Sequence, residues 1–308
     1  MGIATLDVNE REAFLQRYYA AEEPAVLRKV ATTQQTAEAI CSELNARIAR
    51  DPTASMQYLC WDVRPEVVSE LCTMPSLIGE VLNRQNAFLR ENHVRVWFNL
   101  KGHRTPWHYD GHSLHIFNLQ LKGRKRWRLV APETPLLCIP FTSVCLFGDY
   151  SLARRRHYEF ETGEGDLVFV PRYWYHSVES LGDLNINLNW VLTPKTVPAD
   201  NPTARREVEL TWLKARIRPL LSESTRKYNV EYAGAGKPAI ELLTSRVSIW
   251  AGLARGLKET SKVPLMLPGV VSQGSNLRAA RRSKRVLRSL VNAEQDTTLG
   301  SSSGSTKS

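Results

Sequence analysis

His108-Tyr109-Asp110 and, sixty-eight residues further on, His176 are the residues of this 308-residue chain best suited to carry chemistry. Two imidazoles and one carboxylate can hold one face of a ferrous ion and leave its other positions open for a co-substrate and oxygen, which points to oxidative chemistry. In an extended strand alternate side chains share a face, so His108 and Asp110 point the same way while Tyr109 points elsewhere. The third ligand must then come from another strand, and His176 closes the run Gly165-Asp-Leu-Val-Phe-Val-Pro171-Arg-Tyr-Trp-Tyr-His176. A second reading uses His112 and His115, which with His108 form His-x3-His-x2-His and on a helix could bind zinc. Gly111 and the strand context weigh against it. His93, His103 and His157 read as ordinary core or surface histidines.

These residues need strands to position them, and the hydrophobic periodicity supplies them in the middle of the chain. The first ninety residues read mainly as helix: residues 36–50 place Ala37, Ile40, Cys41, Leu44 and Ile48 on one stripe, and residues 76–90 place Leu77, Val81, Leu82 and Phe88 mostly on another. From Val94 the period changes to two, with strands expected over 94–99, 115–121, 125–130, 166–171 and 184–192. Turns such as Lys122-Gly123 and Glu164-Gly165 separate them, which favours a sandwich or barrel. After Pro198 the pattern returns to helix, over 204–221 and 239–257. The expected organisation is a helical buttress over 1–92, a β core over 93–198 carrying the metal site, a helical region over 199–274, and a basic helix with a polar tail over 275–308.

Bulk properties narrow the functional classes. At 43% hydrophobic content the chain can bury a full core, and no apolar stretch approaches membrane-spanning length. Met1-Gly-Ile-Ala-Thr-Leu6 lacks the charged region and apolar run of a secretory signal, and Leu6 stands where myristoylation wants Ser or Thr. Cys41, Cys60, Cys72, Cys138 and Cys145 are odd in number without CxxC spacing, so reduced, buried thiols in a cytoplasmic protein are expected. Residues 1–199 hold 22 Lys+Arg against 22 Asp+Glu, whereas residues 200–308 hold 19 against 9 and carry the whole net charge of +10. Arg278, Arg281, Arg282, Lys284, Arg285 and Arg288 could touch phosphates or an acidic partner, with a solvated surface helix as the plainer reading. The run from Lys122 to Arg128 follows a turn and alternates, so its charges divide over two faces, which argues against a nucleic-acid patch. Trp107, Trp174 and Tyr175 read as packing residues.

Three motifs in order carry a family resemblance: Arg104-Thr-Pro-Trp-His108-Tyr-Asp110, then Asn118-Leu-Gln-Leu-Lys-Gly-Arg-Lys125-Arg-Trp127, then Gly165 to Pro171 running on to His176-Ser-Val-Glu-Ser-Leu181. The pattern resembles the JmjC/cupin-like hydroxylases, Fe(II)- and 2-oxoglutarate-dependent oxygenases, and most closely the factor-inhibiting-HIF type and its bacterial cupin-like relatives. Glu23-Pro24-Ala-Val-Leu-Arg28 is similar to the opening strand of those proteins. The resemblance implies an α+β fold with a mainly β core, a double-stranded β-helix (jelly roll, cupin) flanked by N-terminal helices and a C-terminal helical region.

Position by position, the resemblance implies His108, Asp110 and His176 as iron ligands, with Lys125 and Thr105 binding the distal carboxylate of 2-oxoglutarate. Asn118 and Asn189 match amides near the metal. The interval from His108 to Lys125 is seventeen residues, longer than the family pattern, with His112 and His115 inside the extra length. A strand offset by one would present Arg124 or Arg126 instead; alternation with Trp127 and Leu129 favours Lys125. The implied reaction consumes dioxygen and hydroxylates an unactivated C–H bond of a peptidyl residue or an amino-acid-like small molecule. Two alternatives stay open: a cupin metalloenzyme, dioxygenase or isomerase, that does not use 2-oxoglutarate, and a catalytically silent binding module. The resemblance also implies a homodimer through the C-terminal helices.

Overall fold

The computed structural model describes residues 2–50, 55–57, 60–63, 75–84, 87–145, 155–194, 201–217 and 247–265, apart from 32, 34, 112, 113, 134 and 135, together with Cys72 and scattered positions between 278 and 289. His112, residues 218–221 and 239–246, Lys284, Arg288 and the polar tail lie outside the described residues. The strands in chain order are β1 (Ala4–Asp7), β2 (Ala25–Arg28), β3 (Ser55–Gln57), β4 (Cys60–Val63), β5 (Ala87–Leu100), β6 (Arg104–His108), β7 (His115–Lys122), β8 (Lys125–Val130), β9 (His157–Thr162), β10 (Leu167–Val170), β11 (Tyr175–Ser180) and β12 (Leu184–Pro194). The helices are a short α1 (Arg11–Ala13) that runs into a π-helical segment (Phe14–Tyr19), then α2 (Ala37–Arg50), α3 (Ser76–Arg84), α4 (Pro202–Ile217) and α5 (Ile249–Thr260).

The strands form an eight-stranded sheet in the order β1-β2-β10-β7-β12-β5-β4-β3 and a four-stranded sheet in the order β6-β11-β8-β9. This is the mainly β jelly-roll core flanked by helices that the sequence leads one to expect. Alternation along each strand divides the large sheet into two faces. Val94, Val96 and Phe98 of β5, Phe117 and Leu119 of β7, and Ile186, Leu188, Trp190 and Leu192 of β12 pack in one cluster with Phe14, Leu15, Ile40, Leu44, Ile78 and Val81 from the helical segments. The other face meets the small sheet, where Ile116, Val168, Val170 and Val191 pack against Trp127, Leu129 and Val178.

The helical reading of the first ninety residues is incomplete, since β1 to β4 all join the large sheet. The helix expected over 76–90 ends at Arg84, and Ala87, Phe88 and Leu89 pair instead with Pro194, Thr193 and Leu192 of β12. A free sheet edge with backbone bonds to offer outweighs weak local helical periodicity there. Of the helix expected over 239–257, the described part lies in α5, where the Ser248 hydroxyl accepts from Ala251 N at 3.1 Å and caps Ile249–Thr260. Gly252 lets α5 approach α4 closely: a Cβ there would lie 2.1 Å from the Trp212 ring. Arg255 Nε also donates to Glu209 Oε2 at 2.6 Å across the pair. Among the described residues no helix is long and apolar enough to cross a membrane.

The β7–β8 turn sets the position of Lys125, and it depends on Gly123. This glycine has φ +81°, and a Cβ on it would sit 2.3 Å from Leu184 O and 2.6 Å from Asn185 Oδ1, the atom that accepts from Arg124 N. Gly123→Ala should therefore lower stability by about 2 kcal/mol through strain and steric conflict together. Urea denaturation measures this, and an unshifted midpoint would show that the turn can rearrange freely.

Candidate metal centre

His108 ends β6, Asp110 follows just beyond it, and His176 stands on the adjacent strand β11, directly paired with His108 in the sheet register. Possible ligand atoms of the three residues lie within 4.8 Å of one another, the two imidazole centroids are 4.2 Å apart, and His176 Nε2 is 3.5 Å from Asp110 Oδ2. Each imidazole is oriented by its own backbone. His108 Nδ1 meets Pro106 O at 2.8 Å and His176 Nδ1 meets Trp174 O at 3.1 Å. A carbonyl can only accept, so Nδ1 carries the proton and Nε2 of each ring is left with its lone pair toward the cluster. Burial, and secondarily the neighbouring His108, lowers the His176 pKa to about 4, which keeps it a neutral ligand. Two imidazole nitrogens and one carboxylate fit a divalent first-row metal.

The triad opens into a cavity of about 410 Å³ between the two sheets. Thr105, Lys125, Asn118 and Asn189 line it, as do Trp97, Asn99, His103, Trp127 and Asn187. Lys125 is buried, and its Nζ donates to Asn99 Oδ1 at 3.1 Å and to Asn187 Oδ1. No carboxylate stands within ion-pair distance of it among the described residues, and burial lowers its pKa to about 7. Arg124 and Arg126, the alternatives to Lys125, lie on the outer face with Glu161. The side-chain amides of Asn118 and Asn189 face each other across β7 and β12. A buried ammonium without an acid leaves room for an anionic molecule that would pair with it.

Thr105 and His108 are three residues apart and by alternation should face opposite ways. A bulge corrects this: β11 pairs His176 with His108 and Val178 with Thr105, so three steps on β6 match two on β11 and both side chains line the cavity. His103 corrects the plain reading given to it. It is a buried wall of the cavity, with its pKa lowered to about 4 by burial and by the Lys125 charge. The zinc reading loses His115, which turns to the outer face among Tyr19 and Phe169 and accepts from Arg172 N. Asn187 went unnoticed in sequence although it shares the strand face of Asn189, and the period-two run Asn185-Ile-Asn187-Leu-Asn189 was a signal for it. Trp107, Trp174 and Tyr175 are buried packing residues. Arg126 and Arg128 are interleaved with Glu159, Glu161 and Glu179 on the outside of the small sheet, which neutralises the basic run.

A sequence model of the cupin-like domain family matches residues 24–194. HSPB1-associated protein 1 of Homo sapiens is 31% identical over 112 residues, covering 31% of this chain and 23% of that protein. The 2-oxoglutarate and iron-dependent oxygenase JMJD4 of Mus musculus is 28% identical over 149 residues, 44% of this chain and 35% of the relative. Ribosomal oxygenase 2 of Rattus norvegicus is 35% identical over 80 residues, 24% of this chain and 15% of the relative. The chain thus spans about a quarter of the length of HSPB1-associated protein 1.

The buried ammonium leaves a mark on stability. The unfolded chain holds the Lys125 proton up to about pH 10.5 and the folded chain releases it near 7, so in between unfolding takes up a proton and stability rises with pH. His103 and His176, with folded pKa values of about 4, have delivered their own gain once the pH passes 6.5. Unfolding free energy of the ligand-free protein should therefore climb from pH 7 to 9, and Lys125→Met should flatten the climb. An identical pH slope in wild type and variant would contradict this.

Proposed function

Since the chain belongs to the cupin-like domain family, we propose that it is an Fe(II)- and 2-oxoglutarate-dependent oxygenase that hydroxylates an unactivated C–H bond of a peptidyl residue or an amino-acid-like small molecule. The observation that carries this reading is the shared cavity of His108, Asp110 and His176 with a buried, acid-free Lys125. Two relatives, a 2-oxoglutarate and iron-dependent oxygenase and a ribosomal oxygenase, support the same class. When bound, iron and 2-oxoglutarate would supply the oxidising chemistry, in which 2-oxoglutarate and dioxygen give succinate and carbon dioxide as the substrate gains a hydroxyl.

The chain's own residues bind and orient. His108, Asp110 and His176 would hold the metal through two Nε2 atoms and a carboxylate oxygen. Lys125 Nζ, poised by Asn99 and Asn187, would pair with the distal carboxylate of 2-oxoglutarate, with the Thr105 hydroxyl as a further donor. Asn118 and Asn189 would meet polar atoms nearer the metal. The apolar walls Ile116, Trp127, Val170, Val178 and Val191 would exclude water, which protects the reactive complex from side reactions. A cupin metalloenzyme without 2-oxoglutarate would have no use for a buried ammonium aimed into the cavity, and a silent binding module none for a complete ligand triad.

Anaerobic titration of the full chain with Fe(II) and then 2-oxoglutarate, followed by a succinate-release screen over peptides and amino-acid-like molecules, tests the assignment. Asp110→Ala should abolish substrate-dependent succinate formation. Lys125→Met should raise the KM for 2-oxoglutarate by about thirtyfold or more, the cost of leaving a carboxylate unpaired in a buried site, with iron affinity retained. Turnover indifferent to 2-oxoglutarate would favour the other cupin chemistry. We also propose a homodimer through the C-terminal helices, because α5 exposes Ile249, Leu253, Leu257 and, at 80% exposure, Trp250. Mass per particle should double relative to the chain and fall back in Trp250→Asp; a monomeric wild type would remove that proposal.

A further inference from the structure

Asp110 is exposed to a hazard that the two histidines escape. β6 ends at His108, so Asp110 lies beyond the strand pairing, and its side chain is 30% exposed. A ligand carboxylate has to be held within a fraction of an ångström, and its supporting contacts decide whether it is. The support comes from Tyr109, between the two ligands. Its side chain leaves the cavity and is wholly buried beside Tyr173 and Tyr175. The Tyr109 hydroxyl donates to Glu207 Oε2 at 2.7 Å and accepts from Arg206 NH1 at 2.9 Å, both residues of α4. The other oxygen of Glu207 covers Gly111 so closely that a Cβ there would lie 3.3 Å from it. One carboxylate thereby bonds the Tyr109 side chain and lies close over Gly111, on the two sides of Asp110.

The restraint is itself anchored. Arg206 donates through Nε and NH2 to Glu259 of α5, at 3.1 and 2.9 Å, and NH2 also reaches Thr142 O at 3.0 Å. Glu259 is fully buried and accepts from Lys262 Nζ at 2.8 Å and Phe141 N at 3.3 Å. The segment that receives these bonds, residues 139–145, lies against the ligand strand: Tyr109 N donates to Ser143 O at 3.3 Å, and Cys145 N to Trp107 O at 2.6 Å. A buried network of paired charges is rigid, because any displacement strands a charge in low dielectric.

We propose that Tyr109 is a positioning residue for the metal ligands, tying the His108–Asp110 segment through Glu207 and Arg206 to α4 and α5, so that two helices beyond the cupin-like region hold the metal site in register. The proposal rests on the reading of His108, Asp110 and His176 as metal ligands. It predicts a loss in metal binding that exceeds any loss in stability. The two helices would then be needed for metal affinity even where the jelly roll stays folded without the Tyr109 contact.

The test is Mn(II) binding to the full chain, followed by electron paramagnetic resonance, with thermal melting recorded in parallel. Tyr109→Phe keeps the ring and removes the hydroxyl, and should weaken Mn(II) affinity about tenfold or more, the usual cost of losing a ligand's supporting contact. Glu207→Gln still offers an oxygen to Tyr109 and should stay within about twofold of wild type, whereas Glu207→Leu should behave as Tyr109→Phe. Ile40→Val, a core change beneath the far face of the large sheet, should lower the melting temperature and leave Mn(II) affinity intact. Wild-type affinity in Tyr109→Phe, while His108→Ala has lost Mn(II), would overturn the proposal; should Tyr109→Phe not fold, unchanged affinity in Gly111→Ala would do the same. Undiminished Mn(II) affinity in His108→Ala would instead bring down the ligand reading itself, and this proposal with it.

Discussion

The large sheet must bury both of its faces, and the two burials have opposite character. Its outer face is apolar and packs beneath the helical segments of the first ninety residues, where Phe14, Phe117, Phe169, Trp190 and Ile40 meet. Removing any one large ring from such a cluster costs about 3–5 kcal/mol, so this face supplies much of the fold's stability. The inner face is free to be polar for that reason. It carries Asn99, Asn118, Asn187 and Asn189 toward a chamber that the small sheet closes, with Lys125 reaching in from β8 of that small sheet. A buried ammonium costs several kcal/mol even after relaxation, and two amide oxygens recover only part of that. The helices therefore make the site affordable without touching it.

What the sequence discloses follows from where alternation governs and where register does. β7, β8 and β12 alternate polar with apolar residues, so their inward residues can be read from spacing alone. β3 and β4 are too short to show a period, and the start of β5 carries a helical one. Their strand character comes from pairing with β12 and β5, a non-local cause. Thr105 is a sharper case. Its spacing from His108 puts it on the wrong face of an ideal strand, and only the bulge opposite His176 and Val178 turns it inward. His103 carries no spacing signal at all, and its role as a cavity wall depends on the turn between β5 and β6.

The C-terminal helices show the same limit. As a sequence, residues 204–221 and 239–257 read as helices within a third of the chain that carries all of its net charge, yet Arg206, Arg255 and Lys262 are engaged with Glu209 and Glu259 at the helix pair. Neighbouring positions on a helix do not share a face, so Arg206 and Glu207 give no hint that both reach one tyrosine hydroxyl. That convergence requires a ligand loop seated beside the first turns of α4. These pairs draw on acids of the same region, so its net basic excess is carried by other residues than the ones that join the two helices.

Charge in the chamber links the metal and cosubstrate sites in the proposed reaction. Burial keeps His176 and His103 neutral, and the chamber wall includes the basic side chains of Lys125, Arg95 and Arg104. A divalent metal at the triad would add to this positive character, which suits 2-oxoglutarate, a dianion. Lys125 alone releases its proton near pH 7, which lowers the cost of the empty chamber. A bound carboxylate would draw the proton back, because a paired ammonium is stable where an isolated one is not. The same burial that makes the empty site tolerable by shedding a proton makes the filled site selective for an anion that restores it.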